Sequence, residues 1–257
     1  MSASEKKIRE IQDELKTTEA AELPGFIREY IADGRPGVSK LVGIAQRKME
    51  ELRLEKERME GLKFFERKYG EDFALICGID EAGRGPLAGP VVAGAVIFPK
   101  DTDILYINDS KKLTEKKREE LFDVIHEKAL AVGVGMASPE RIDEINILQA
   151  TYEAMRQAVE NLGVTPDLLL NDAVTIPGLP MKQVAIVKGD AKSVSIGAAS
   201  IIAKVTRDRL MAEYDRVMPE YGFAKHKGYG TKDHIEALKQ YGASPIHRRS
   251  FIGKFVD

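Results

Sequence analysis

The stretch Cys77-Gly-Ile-Asp-Glu-Ala-Gly-Arg-Gly-Pro-Leu-Ala-Gly-Pro90 decides how this chain is read. Phe73-Ala-Leu-Ile-Cys77 leads into it and Val91-Val-Ala-Gly-Ala-Val-Ile-Phe98 follows it. Both flanks are short apolar runs of the kind that form buried strands. Between them stand two adjacent carboxylates, Asp80 and Glu81, and then Gly83, Gly85 and Gly89. Adjacent acids at the end of a buried strand repel each other and resist desolvation, so a cation that neutralises them explains their presence. Glycines allow a backbone to come close to a ligand.

Three readings compete for this stretch. The plainest is a solvated strand-turn-strand. A dinucleotide fingerprint needs G-x-G-x-x-G opening a helix. Here Pro86 follows Gly85, the third glycine comes one place late, and a strand follows. A phosphate-binding P-loop fails as well, since no Gly-Lys-Ser/Thr closes the turn. The third reading is a metal-carboxylate site beside a loop that approaches phosphate, and it requires further acids.

The chain has 257 residues, 43% hydrophobic and 31% charged, with a formal net charge of -2. These values suit a globular protein of one large domain, or of one domain with a small accessory one. Charge is unevenly spread. Residues 1–70 carry 15 basic and 14 acidic side chains, 71–203 carry 13 and 20, and 204–257 carry 11 and 7. An acidic centre with a basic flank fits metal binding beside polyanion binding, and it equally fits ordinary surface variation. The single cysteine, Cys77, lies in an apolar run and reads as a buried structural thiol. No run is long enough to span a membrane and the N-terminus has no signal-peptide core, so a cytoplasmic protein is expected.

Residues 1–70 read as a helical extension. Ile8, Ile11 and Leu15 form a sparse stripe after Ser4, a possible N-cap. Pro24 can open a second helix, and Val42, Ala45, Met49 and Leu52 repeat along a third, long and charged one. This segment is either a substrate-handling arm or a structural extension, and nothing in it looks catalytic. From 71 to 257 strands alternate with helices. Strands are expected at the two flanks of the opening stretch, at Ala131–Ala137, at Leu168–Leu170 and at Val184–Val187. Helices are expected after Thr114, from Pro139 to Gly163, over Ser193–Arg209 and through Ile235 and Leu238. Adjacent strands combined with helical crossovers predict an α/β fold: a mixed five-stranded sheet flanked by helices.

Asp80, Glu81, Asp172 and Asp190 then fall at the ends of three predicted strands, where ligands of open α/β sheets gather. Oxygen-only ligation suits Mg2+ or Mn2+, and no histidine–cysteine cluster suggests zinc. Four carboxylates can hold two ions about 4 Å apart, an arrangement suited to in-line attack on a phosphodiester.

At this point the chain resembles a family. Gly78-Ile-Asp-Glu-Ala-Gly-Arg-Gly-Pro86 is similar to the signature of type 2 ribonuclease H, ribonuclease HII. So are Asp109-Ser-Lys-Lys-Leu113, Lys188-Gly-Asp190, Ala198-Ala-Ser-Ile-Ile-Ala-Lys-Val-Thr-Arg-Asp208 and Lys227-Gly-Tyr-Gly-Thr231. The resemblance spans about residues 71–250. It implies an RNase H-like sheet and a monomeric endonuclease acting on RNA–DNA hybrids. It also implies cutting on the 5′ side of ribonucleotides embedded in duplex DNA, leaving 3′-hydroxyl and 5′-phosphate ends. By motif match, Asp80, Glu81, Asp172 and Asp190 take the catalytic, metal-holding positions for two Mn2+ or Mg2+ ions. One departure is Ala173, where the family often has glycine after the third acid. Gly83, Arg84 and Gly85 match the loop that senses the ribonucleotide 2′-hydroxyl, and glycine suits so close an approach. Tyr229 matches the tyrosine at the RNA–DNA junction. Lys111, Lys112, Lys188, Lys192, Lys204, Arg207, Lys225 and Lys227 are candidate phosphate contacts. The alternative from another class is a non-catalytic hybrid-binding protein, though a pure binder has no use for four like charges facing a polyanion.

Overall fold

A computed structural model of the chain describes residues 6–256. The chain forms two compact units, the first through Glu60 and the second from Gly61. The first is helical: α1 (Ile8–Thr17), α2 (Leu23–Tyr30) and most of α3 (Pro36–Leu62). Its core joins Ile11 and Leu15 of α1, Phe26 and Tyr30 of α2, and Val38, Val42 and Ala45 of α3. The sparse stripes thus close on one another. Ile8 is left out of the core and exposed. Ser4 lies outside the described residues; α1 opens at Lys7, whose N–H donates to Glu10 at 2.7 Å.

The second unit begins with α4 (Phe64–Tyr69) and contains a mixed five-stranded sheet in the order β3-β2-β1-β4-β5. The strands are β1 (Ile76–Ala82), β2 (Val91–Ile97), β3 (Ala131–Ala137), β4 (Leu168–Asp172) and β5 (Lys182–Ile186). β1 pairs antiparallel with β2 and parallel with β4; β2–β3 is antiparallel and β4–β5 parallel. β1 starts later than the apolar run Phe73–Cys77 suggested and takes Asp80 and Glu81 into the ladder. Pairing with β2 carries it on to Ala82, against Val92. Charge ended the apolar run in sequence but did not end the strand.

The helices are α5 (Glu115–Lys128), α6 (Pro139–Glu160), α7 (Val194–Val217), α8 (Phe223–His226), α9 (Lys232–Tyr241) and α10 (Arg249–Ile252). Thr114, Ser138 and Ser193 cap α5, α6 and α7 through their side-chain oxygens. α6 is kinked at Asn146, whose φ of 69° leaves the helical region. The Asn146 side chain accepts from the N–H groups of Leu148 and Gln149 and so recaps the second half of α6. α7 runs on past Arg209 to Val217.

Strand periodicity sorts the two faces of the sheet. Cys77 and Ile79 of β1, Ala93 and Ala95 of β2, and Leu169 of β4 pack with Ala150, Ala154 and Ala158 of α6. Ile76, Leu168 and Leu170 pack with Ile196 of α7 on the other face. α7 lies close because glycines line its bed. A Cβ on Gly94 would sit 2.4 Å from the Ala199 carbonyl, and one on Gly78 2.3 Å from the Ile196 nitrogen. Small residues from Ser195 to Ala203 on the helix complete this fit, which is why α7 is buried all round from Val194 to Ala203.

Candidate active site

The α7 face of the sheet leads directly to the acids. In the parallel register Ile79 is opposite Asn171, so the next residues, Asp80 and Asp172, are neighbours on adjacent strands. Alternation puts Asp80 on the face of Ile76 and Gly78, and Asp172 on the face of Leu168 and Leu170. Both therefore point to the side where α7 lies. Asp190 reaches the same side from a short 3-10 turn, Gly189–Ala191, between β5 and α7. This turn is tied to β4: the Gly189 N–H donates to Asp172 Oδ1 at 2.7 Å. Asp190 was expected at a strand end and instead sits in this turn, four residues past Ile186.

The acids sense one another. Burial raises the Asp80 pKa well above the usual carboxylate range, and the charges of Glu81 and Asp172 raise it further; a hydrogen bond from Ser200 of α7 opposes them. Burial also raises the Glu81 pKa, while Arg84, whose guanidinium is 3.3 Å away, opposes the shift. Asp190 is raised by burial and then by Asp109 and Asp172, with Lys111 opposing. Among the described residues, no group of three or more histidine, cysteine, aspartate or glutamate side chains is spaced to hold a metal ion. The donor set nevertheless fits a hard divalent cation. It consists of oxygen only, and the buried Asp80 charge is opposed by its surroundings and by two neighbouring acids, a penalty that a cation would remove.

The glycine loop lies alongside. Gly83 has φ of +91°, and a Cβ there would sit 2.0 Å from Arg207 Nε, so this position accepts only glycine. Gly85 faces open space. The loop is knitted to two later segments. The Leu87 N–H donates to the Gly228 carbonyl at 2.8 Å, the Gly89 N–H to the Ile246 carbonyl at 2.8 Å, and the Arg248 N–H to the Leu87 carbonyl at 2.9 Å. Tyr229, exposed at 43%, is thereby held next to the loop it was expected to work with.

The Ribonuclease HII family model matches residues 77–254, and a Ribonuclease HII N-terminal domain model matches residues 7–70. The chain belongs to the ribonuclease HII family. It is 61% identical over 246 residues to ribonuclease HII of Lachnoclostridium phytofermentans, covering 96% of each chain. It is 54% identical over 249 residues to that of Clostridioides difficile, covering 96% of this chain and 98% of the relative. The solved ribonuclease H2 of Pyrococcus horikoshii OT3 superposes with a TM-score of 0.58 at 33% identity, over 68% of this chain and 93% of that one. Membership supports a metal-dependent nuclease activity of the ribonuclease H type.

Within this ribonuclease HII fold the candidate phosphate contacts separate. Lys111 is exposed and close enough to Glu81 and Asp190 to influence both. Lys112, Lys188 and Lys192 are exposed. Lys204 is partly buried and paired with Asp208 at 2.7 Å. Lys225 pairs with Asp233 at 2.6 Å, and Lys227 lies 4.0 Å from Glu115. Arg207 is buried, and its guanidinium donates to the carbonyls of Ala88, Pro90 and Lys227, so it braces the loops and is closed off from a phosphate.

Several participants had no role assigned from the sequence, though Asp109 and Ser200 lie inside the motifs quoted above. Ser200 bonds to Asp80, and its hydroxyl lies 2.9 Å from that of Ser110. Asp109 caps the turn Ser110–Lys112 by accepting from the Lys111 N–H at 2.9 Å, and it adds a fifth negative charge near Asp190. Arg248, one of the 11 basic residues of the segment 204–257, is fully buried and donates to the carbonyls of Gly83, Arg84 and Gly89. Its flanks, Ile246 and Phe251-Ile252, were the available signal.

Proposed function

We propose that this ribonuclease HII hydrolyses the RNA strand of RNA–DNA hybrids and cuts 5′ of ribonucleotides embedded in duplex DNA, giving 3′-hydroxyl and 5′-phosphate ends. The observation that carries the reading is the gathering of Asp80, Asp172 and Asp190 on the α7 face, with Glu81 beside them, next to the loop at Gly83–Gly85 and Tyr229. Asp80, Glu81, Asp172 and Asp190 are the residues that would hold two Mg2+ or Mn2+ ions. Such ions would supply an acidified attacking water and a counter-charge for the leaving oxygen. The chain's own groups do the rest. Backbone groups of Gly83, Arg84 and Gly85 read the sugar, because a 2′-hydroxyl distinguishes RNA from DNA and only a bare backbone gets close enough. Tyr229 presents a half-exposed ring against which a base or sugar can pack. Lys111, exposed and close to the acids, steers a phosphate towards them.

The helical segment through Glu60 acts in this reading as a substrate-binding arm for a monomeric, cytoplasmic enzyme whose catalytic part takes in α4 as well, ahead of the boundary expected at 71. Among the basic side chains of that arm, Arg53 pairs with Glu50 at 2.7 Å and also with Glu57, whereas Arg47 and Lys48 are exposed. The test is a nicking assay on a labelled DNA duplex with one ribonucleotide, with Mn2+ or Mg2+ and an EDTA control. One metal-dependent cut on the 5′ side of the ribonucleotide is expected. No cut there, nor in a long hybrid, by a folded protein that binds both would sink the reading and favour a hybrid-binding protein.

A further inference from the structure

Three of the four histidines fall between 226 and 247, and all three are buried side by side beneath Tyr229. His226 and His234 stack with ring centroids 4.3 Å apart, and His234 Nε2 lies 3.0 Å from His247 Nε2. Backbone groups determine where each proton sits. The Ser244 N–H donates to His247 Nδ1 at 3.0 Å, so a neutral His247 carries its proton on Nε2 and donates to His234 Nε2. His234 must then carry its proton on Nδ1, which donates to the Tyr229 carbonyl at 2.9 Å. His226 is ordered the same way: its Nδ1 accepts from the Gly228 N–H at 3.2 Å and its Nε2 donates to the Tyr221 carbonyl at 2.8 Å. The relay therefore runs one way, from Ser244 through His247 and His234 to the backbone of Tyr229. Burial lowers the proton affinity of all three rings, which favours the neutral forms this order needs.

The backbone of the residue that receives the relay is held on both sides of its Cα. The Tyr229 N–H donates to the His226 carbonyl at 2.9 Å, and the Thr231 N–H donates to the Tyr229 carbonyl at 2.8 Å. Lys227 and Gly228 before it both have positive φ, 53° and 83°. A Cβ on Gly228 would sit 2.4 Å from the Ala88 carbonyl, so this turn fits closely against the glycine loop. An exposed ring on such a turn depends on its backbone for direction. We propose that His234 is a positioning residue for Tyr229, holding the Tyr229 peptide, and with it the ring, at the angle needed against the sugar–base step at the cut. This rests on the reading of Tyr229 as the residue at the RNA–DNA junction.

Two substitutions divide the two nitrogens of His234. His234→Asn puts an amide nitrogen where Nδ1 stands and keeps the bond to Tyr229. His234→Gln reaches the Nε2 position, keeps His247 and loses Tyr229. The experiment measures kcat/KM for full-length protein on a duplex with one embedded ribonucleotide, in a double-mutant cycle with Tyr229→Ala, with melting temperatures as the folding check. Tyr229→Ala alone is expected to lower kcat/KM about 5- to 150-fold, the range for a lost stacking contact. His234→Gln should lower it about 2- to 12-fold, as for one lost hydrogen bond, with His234→Asn closer to wild type. In the Tyr229→Ala background His234→Gln should have no further effect. Losses that multiply in the double variant, or equal losses from Asn and Gln, overturn the proposal while leaving the role of Tyr229 intact. A Tyr229→Ala variant as active as wild type overturns the junction reading itself, and the proposal with it. If His234→Gln does not fold, His247→Asn removes the donor to His234 and enters the same cycle with the same criteria.

Discussion

The Arg248 guanidinium donates to the Gly83 carbonyl and, at 2.9 Å, to the Arg84 carbonyl, so a residue near the end of the chain sets the peptide orientation of the glycine loop. Burial and the neighbouring Arg207 charge lower the Arg248 pKa to about 9, which still leaves it charged at neutral pH. Arg248→Met leaves three carbonyls without this donor, those of Gly83 and Gly89 in buried residues. Unfolding free energy in urea should fall by about 3 kcal/mol or more. A loss within the ordinary surface range, about 0.5 kcal/mol, would show that the loop does not need this clamp.

The acids make a matching prediction with the opposite sign on stability. Asp80→Asn removes a buried charge that its neighbours oppose, so the metal-free variant should melt at or above the wild-type temperature while cleavage drops about a thousandfold or more, some 4 kcal/mol of barrier. Mn2+ at a hundred times its dissociation constant should stabilise wild type by about 2.7 kcal/mol and the variant by much less. Thermal melting with and without EDTA checks both. An equal Mn2+ shift in the two proteins would place the ion elsewhere.

The buried histidines predict the response to acid. Each has a folded pKa below its ordinary value of 6.5, His247 at about 4, so below pH 6.5 the unfolded chain binds protons that the folded chain does not. Stability from this cluster is complete above pH 6.5 and is lost as pH falls from there towards 4. His247→Phe should flatten that part of the melting-temperature profile. A wild-type profile that is level between pH 6.5 and 4 would contradict the buried, neutral cluster.

Ala173 has a clear local effect. Its φ of 56° lies in the left-handed region, where a Cβ is unfavourable, and it directly follows Asp172. Ala173→Gly should stabilise the chain by about 0.5–1 kcal/mol in urea without changing which bond is cut. Destabilisation would mean that the alanine methyl makes contacts outweighing its backbone strain.

Much of this was legible beforehand, for identifiable reasons. The helix starts after Thr114 and Ser138 are local chemistry, and local chemistry reads directly from sequence, whereas Ser193, expected inside α7, turned out to cap it. The pairing of Asp80 with Asp172 was inferable only as strand ends in one sheet; the register that makes them neighbours comes from the parallel ladder. Asn146 breaks α6 inside an unbroken helical pattern, because asparagine can both leave the helix and recap it. Arg207 and Arg248 looked like surface charges, since nothing in a linear sequence shows that six carbonyls will converge on two guanidiniums. The histidine relay was hidden in the same way, its members eight and thirteen positions apart.

One contact at the other end of α7 bears on how this protein can be divided. Glu66 of α4 accepts from the Ser193 and Ser195 hydroxyls, each at 2.5 Å, and from the Ser195 N–H at 3.1 Å. It thus places a carboxylate at the start of the helix that carries Ser200, where the helix dipole favours negative charge. A fragment begun at the family boundary near residue 71 would lack that carboxylate and leave the first turn of its central helix loose. A catalytic half meant to behave like the whole must begin before Phe64, so the last helical turn of the apparent accessory region is a working part of the nuclease.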